Sequence, residues 1–119
     1  QIGRYCYPVD LHISNPGDRK AFDAFMQEYD RDLKYKRGES YGIPYRSLVA
    51  KSFSNVLVAG RCLGADRKMQ ASVRVMPGCF ITGQAAGTAA ALSIAASGDV
   101  RRVKTGELRE SLKNAKVVL

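Results

Sequence analysis

The chain has 119 residues, 45% hydrophobic and 25% charged, a composition that suits one small folded domain and excludes a disordered chain. A formal charge of +8, from 19 Lys and Arg against 11 Asp and Glu, would permit a nucleic-acid or anionic-membrane partner. The basic residues are scattered through mixed-sign stretches such as Asp18–Arg37, without a recognition-helix, RNP-like or zinc-finger pattern, so no nucleic acid is expected.

Cys6, Cys62 and Cys79 are odd in number and widely spaced, which argues against a disulfide framework. His12 is the single histidine and no C-x-x-C pair accompanies it, so no metal site is expected. Buried free thiols in a reducing cytoplasm are the expectation. No basic-then-apolar leader marks secretion, and the start at Gln1 fits a piece of a longer protein.

Residues 4–13 alternate, with Tyr5, Tyr7, Val9, Leu11 and Ile13 on one face and Arg4, Cys6, Pro8, Asp10 and His12 on the other. Period two predicts a strand packed on one side, and Pro8 places it at an edge or a bulge. Asp10 and His12 then project together. Ser14–Asp18 is a turn. Phe22, Phe25, Met26, Tyr29 and Leu33 follow at helical spacing, which predicts a helix over about 18–37 with Asp18 as N-cap and Gly38 as its stop. Tyr41–Lys51 reads as extended chain.

Val56–Ala59 is a continuous apolar run ending at Gly60, the pattern of a strand covered on both faces in a central parallel sheet. A loop over 62–72 leads to Pro77, a suitable first helical residue, with Gly98 as the stop. The 77–97 interval as a helix matches a bilayer in length, about 30 Å. Only Phe80, Ile81, Leu92 and Ile94 in it are bulky and apolar, so a helix pressed on other backbone through Gly83 and Gly87 is the preferred reading, and no membrane partner is expected. Leu108, Leu112 and Ala115 mark a short surface helix, with Thr105 as its cap.

A helix entered through Arg74-Val75-Met76-Pro77-Gly78 presents unpaired amides and a positive dipole end, with a full charge on Arg74 beside it. A phosphate or the N1–C2=O edge of a flavin would suit that end. A plain buried helix with Arg74 as a surface charge reads the same residues equally well.

Ile43-Pro44-Tyr45-Arg46, Asn55–Ala65 and Ser72–Ser93, with Arg4–His12 more loosely, resemble the C-terminal portion of bacterial FAD-dependent oxidoreductases of the glutathione-reductase-like FAD/NAD(P)-binding fold. The resemblance is dense over 41–98. It implies an α/β fold made of few strands, a long buried Ala/Gly-rich helix and a short C-terminal helix. It also implies three regions: 1–45 as part of a substrate or cap region, 46–98 as the C-terminal segment of an FAD-binding domain, and 99–119 as a terminal surface helix. It implies FAD contacts from Gly60 and Arg61 at the ribityl-pyrophosphate side and from Ser72, Arg74, Val75, Met76 and Pro77 at the pyrimidine side. His12 would face the flavin or its substrate as a catalytic group.

The chain departs from the family pattern at Gly78, where Thr is common, and at Gly64–Arg67, where a Ser-Ala-Thr-His-like stretch is common. No G-x-G-x-x-G follows a strand in these residues. The expected partners are therefore a small-molecule substrate and the rest of the same polypeptide, carrying the N-terminal FAD-binding segment. A fragment deprived of its other strands would self-associate. The competing function is a small basic domain that binds an anion or partner chain without catalysis.

Overall fold

The computed structural model describes all residues, 1–119. Its elements are β1 (Gly3–Tyr5), α1 (Arg19–Glu28), β2 (Tyr41–Ile43), α2 (Arg67–Val73), α3 (Met76–Ser93) and α4 (Thr105–Asn114), joined by irregular chain and single 3-10 turns. The result is a mixed helical chain with one small sheet, compatible with an α/β class. β1 and β2 pair antiparallel, with Gly3 opposite Ile43 and Tyr5 opposite Tyr41.

The core lies where this sheet, α3 and α4 meet. Ile2, Leu48, Val73, Ala85, Ala89, Leu108 and Leu112 are its most enclosed members. Leu108 and Leu112, one turn apart on α4, are wholly buried, and each such side chain stabilises the fold by about 1.5–3 kcal/mol. A second, smaller cluster joins Val9, Leu33 and Ala71 beneath α1.

The strand expected over 4–13 stops at Tyr5. Beyond it the chain stays extended without a ladder, because β2 ends opposite Tyr5 and the Leu11 amide turns back onto the Val9 carbonyl at 3.0 Å. Asp18 caps α1 as expected, accepting from the Ala21 amide at 3.1 Å. The helix does not reach 37: it relaxes into a π turn over Tyr29–Leu33 and becomes extended at Lys34, where Leu33 drops into the small cluster. Gly38 does hold the left-handed conformation, at φ 88°.

Asn55–Arg61 forms no strand, which corrects the expectation of a central parallel sheet. Its single ladder contact is an isolated antiparallel bridge between Val49 and Leu57. An apolar run becomes a strand only where a neighbouring segment pairs with it over several residues, and here the pairing does not extend beyond one bridge. The loop expected over 62–72 instead contains α2, capped by the Asp66 carboxylate on the Met69 amide at 2.8 Å.

α3 begins at Met76, one residue before Pro77, and ends at Ser93. A 3-10 turn follows over Ile94–Ala96, then left-handed Ser97 (φ 57°) and Gly98 (φ 79°). By length and composition Met76–Ala96 is long and apolar enough to cross a membrane. One face of it (Gly78, Thr82, Ala85, Ala89, Ser93) is buried in the core. The opposite stripe is open. Met76, Phe80, Gly83, Gly87, Ala90 and Ile94 fall within about 40° of one direction around the axis, and all six are exposed.

A Cβ built on Gly83 or Gly87 meets nothing within 4 Å, so neither glycine is pressed on backbone within these residues, contrary to expectation. The close approach falls at Gly78, whose Cβ would lie 2.3 Å from the Val73 carbonyl oxygen. That contact leaves no room here for the Thr common in similar sequences.

Three smaller corrections concern single side chains. Lys104 occupies the N-cap of α4 without a side-chain bond, and Thr105 is the first helical residue. Ala115, expected on the packed stripe, is exposed. Cys6 and Cys62 are exposed and Cys79 is half-buried, so the thiols are not core residues.

Candidate functional site

The α2–α3 junction gathers most of the residues singled out from the sequence. Gly60, at φ 63°, opens a 3-10 turn that rests on the first turns of α3. Its amide donates to Thr82 Oγ1 at 2.9 Å, and a Cβ on it would contact Cys79 Sγ at 3.5 Å. Arg61 Nε donates to the Arg74 carbonyl at 3.2 Å, while Gln70 Nε2 donates to the Arg61 carbonyl, also at 3.2 Å. These two bonds strap the 60–62 turn to α2 and to the entry of α3.

Arg74 closes α2 and points the other way, into the chain's first segment. Its Nη2 lies 3.1 Å from the Asp10 carboxylate and 3.3 Å from the Asp10 carbonyl oxygen. The pair spans 64 positions of sequence and is about two-fifths exposed, so it orients more than it stabilises. Asp10 and His12 line a cleft of about 290 Å³ together with Leu11, Arg67, Gln70 and Arg74. Asp10, Leu11 and His12 all border this cleft, on backbone that is not a strand.

Ser72 sits elsewhere. It is buried, its hydroxyl donating to the Tyr7 carbonyl at 2.5 Å and lying 2.8 Å from the Tyr41 hydroxyl. Burial, only partly offset by the Ser72 hydrogen bond, pushes the Tyr41 phenol up to about 12; Tyr35, Tyr5 and Cys6 add to the rise. Tyr5 is also raised, first by burial, against an opposing pull from the Gly78 amide. Its hydroxyl is the one buried side-chain polar atom without a hydrogen bond, so that amide faces it without bonding geometry.

Val75 is the N-cap of α3 and carries no side chain able to cap it. Pro77 has no amide hydrogen, which leaves Met76 and Gly78 as first-turn donors without an intrahelical acceptor. Gly78 is turned toward Tyr5, whereas Met76 is 70% exposed. An uncapped amino end with an open first residue, beside the Arg61 guanidinium, fits an electron-rich rim of a ligand.

The second expected thiol, Cys62, is exposed and without a partner, and Gln84 is exposed on α3. Cys79 lies near the Arg74 carbonyl at 3.5 Å. Sequence reasoning missed Thr82 and Gln70, two side chains that join Arg61 in holding the junction together. An Asp66 cap followed by Gln70 and Arg74 at helical spacing was the available signal for Gln70.

No group of three or more His, Cys, Asp or Glu side chains is placed to hold a metal ion. No curated protein and no solved structure matches the chain. A family model does match it: that of the FAD dependent oxidoreductases, over residues 1–112.

Proposed function

Since the chain belongs to the FAD dependent oxidoreductase family, we propose that it supplies the cofactor's pyrimidine-side environment as the C-terminal portion of such an enzyme. FAD is the cofactor of the family, and when bound it supplies a two-electron redox carrier.

The observation that carries the reading is the uncapped amino end of α3, held beside Arg61 and the Asp10–Arg74 pair. Donors fixed there would favour negative charge on a bound ring and raise its reduction potential. Arg61 and Met76 are the residues positioned for that contact. Gly60 sets the turn that carries Arg61, while Val75 and Pro77 shape the helix entry. Ser72 acts at one remove, by fixing Tyr7 and Tyr41 under the junction. His12, open in the cleft, is the candidate group for holding a substrate proton.

Two features support a place within a larger body. The radius of gyration is 16.9 Å, against about 13–14 Å for a compact chain of this length. α3 is also apolar on its open side, where Phe80 and Ile94 are largely exposed. Both fit a piece that packs against further FAD-binding structure of the same polypeptide.

The test is made on the polypeptide that carries this chain. It should purify yellow and release FAD on denaturation, and Arg61→Gln should lower the reduction potential of the bound flavin. A colourless protein that binds phosphate with a steep salt dependence would instead favour the non-catalytic anion-binding reading.

A further inference from the structure

We infer that the cleft between the Asp10–His12 segment and α2 binds a small organic monocarboxylate, with Arg67 as its anchor. Its role as the substrate of the redox reaction rests on the function proposed above; the binding itself does not.

The charge inventory of the cleft leads there. Arg67, Gln70 and Arg74 succeed one another at steps of three and four, so α2 presents all three to the cleft. Arg74 is already engaged twice by Asp10. Gln70 spends its amide nitrogen on the Arg61 carbonyl, which leaves its side-chain oxygen as an acceptor. Arg67 has neither an ion-pair partner nor a side-chain hydrogen bond, and its fork of donors is uncommitted at the cleft wall.

Two guanidinium groups against one carboxylate leave a single uncompensated positive charge. That balance matches a monoanion. A phosphate dianion would meet the Asp10 carboxylate across the same wall, and the planar fork of Arg67 suits a carboxylate in two-point contact. Leu11 and Ala71 give the cleft an apolar part for a short carbon chain. The Gln70 oxygen and His12 offer acceptors for a hydroxyl or amine on that chain. A volume of about 290 Å³ is small for a ligand site, so the ligand is a small one. Arg74 belongs to the cleft and immediately precedes Val75, the N-cap of α3, so the cleft and the helix end assigned to the cofactor share the α2–α3 junction.

Ligand-observed saturation-transfer NMR on the purified polypeptide, with lactate, propionate and lactamide as observed probes and inorganic phosphate as a competitor of lactate, tests this directly. Lactate and propionate should receive saturation, lactamide should be markedly weaker, and an equal concentration of phosphate should leave most of the lactate signal in place. Arg67→Gln should weaken lactate binding by about tenfold or more, as expected when a charge-assisted bond is lost, and Arg67→Lys should restore part of it.

Phosphate binding as tight as lactate, unchanged lactate binding in Arg67→Gln, or no carboxylate binding at all would each overturn the inference. Flavin content is read on the same samples. Carboxylate binding without FAD supports the cleft and sinks the proposed function; FAD without carboxylate binding sinks the cleft alone.

Discussion

The Gly60 amide donates to Thr82 Oγ1 at 2.9 Å, and the same hydroxyl lies 2.8 Å from the Gly78 carbonyl it donates to within α3. One buried side chain thus ties the 60–62 turn, which carries Arg61, to the first turns of the long helix. Thr82→Val keeps the shape and removes both bonds. It leaves the Gly60 amide unpaired, at a cost of about 1–3 kcal/mol. Urea unfolding should show a lower midpoint for Thr82→Val and a smaller change for Thr82→Ser. Equal stability of the Val variant would mean that this bond does not hold the turn.

Gly78 has no space for a side chain, since its Cβ would meet the Val73 carbonyl oxygen at 2.3 Å, a backbone atom that cannot swing aside. Gly78→Ala should therefore destabilise by about 1–3 kcal/mol despite the better helix propensity of Ala. A thermal melt of that variant above the parent's would show that α2 and α3 separate more easily than their packing implies.

Alkaline pH should weaken the fold through its buried phenols. The Tyr41 pKa is pushed up from 10.0 to about 12 by burial, and Tyr5, Tyr35 and Tyr45 shift in the same direction for the same first reason. Between those values the unfolded chain loses the Tyr41 proton while the folded chain keeps it. The folded state then binds more protons, so stability is fully present below pH 10 and falls as pH rises toward about 12. Tyr41→Phe should flatten part of that decline in denaturant midpoints measured across this range. An unchanged pH slope would remove Tyr41 as its source.

The open stripe of α3 gives a prediction whose sign discriminates. Gly83 and Gly87 meet nothing within 4 Å here. If the stripe stays open, Gly83→Ala and Gly87→Ala each stabilise the helix by about 0.5–1 kcal/mol. If it packs on the rest of an FAD-binding body, as proposed, the double variant should lower both thermal stability and retained FAD in the polypeptide that carries this chain. The second outcome is expected.

The helices were legible where a repeat of apolar residues at helical spacing runs for two turns or more, with or without a capping side chain. Asp18 with Phe22, Phe25 and Met26 gave the start of α1, and Leu108 with Leu112 gave α4. α2 was not, because seven residues are too few to display a stripe. Val56–Ala59 misled for a physical reason: apolar character records burial, while a strand also needs neighbours, and only Val49 and Leu57 meet here.

At the proposed site, the helix entry over Arg74–Gly78 was readable from the residues themselves. The cofactor contacts assigned to Gly60, Arg61 and Met76 come from the family resemblance and stand as a proposal. The convergence of Asp10 with Arg74 was hidden, since nothing local to either residue reports a partner 64 positions away.

The proposed function requires that the amino end of α3 border the cofactor. The most direct measurement is a crystal structure of the flavin-loaded polypeptide. The Met76 amide is expected within hydrogen-bond reach, about 3 Å, of the ring's N1–C2=O edge, with Arg61 beside it. A flavin bound elsewhere, with this helix end open to bulk water, would contradict it.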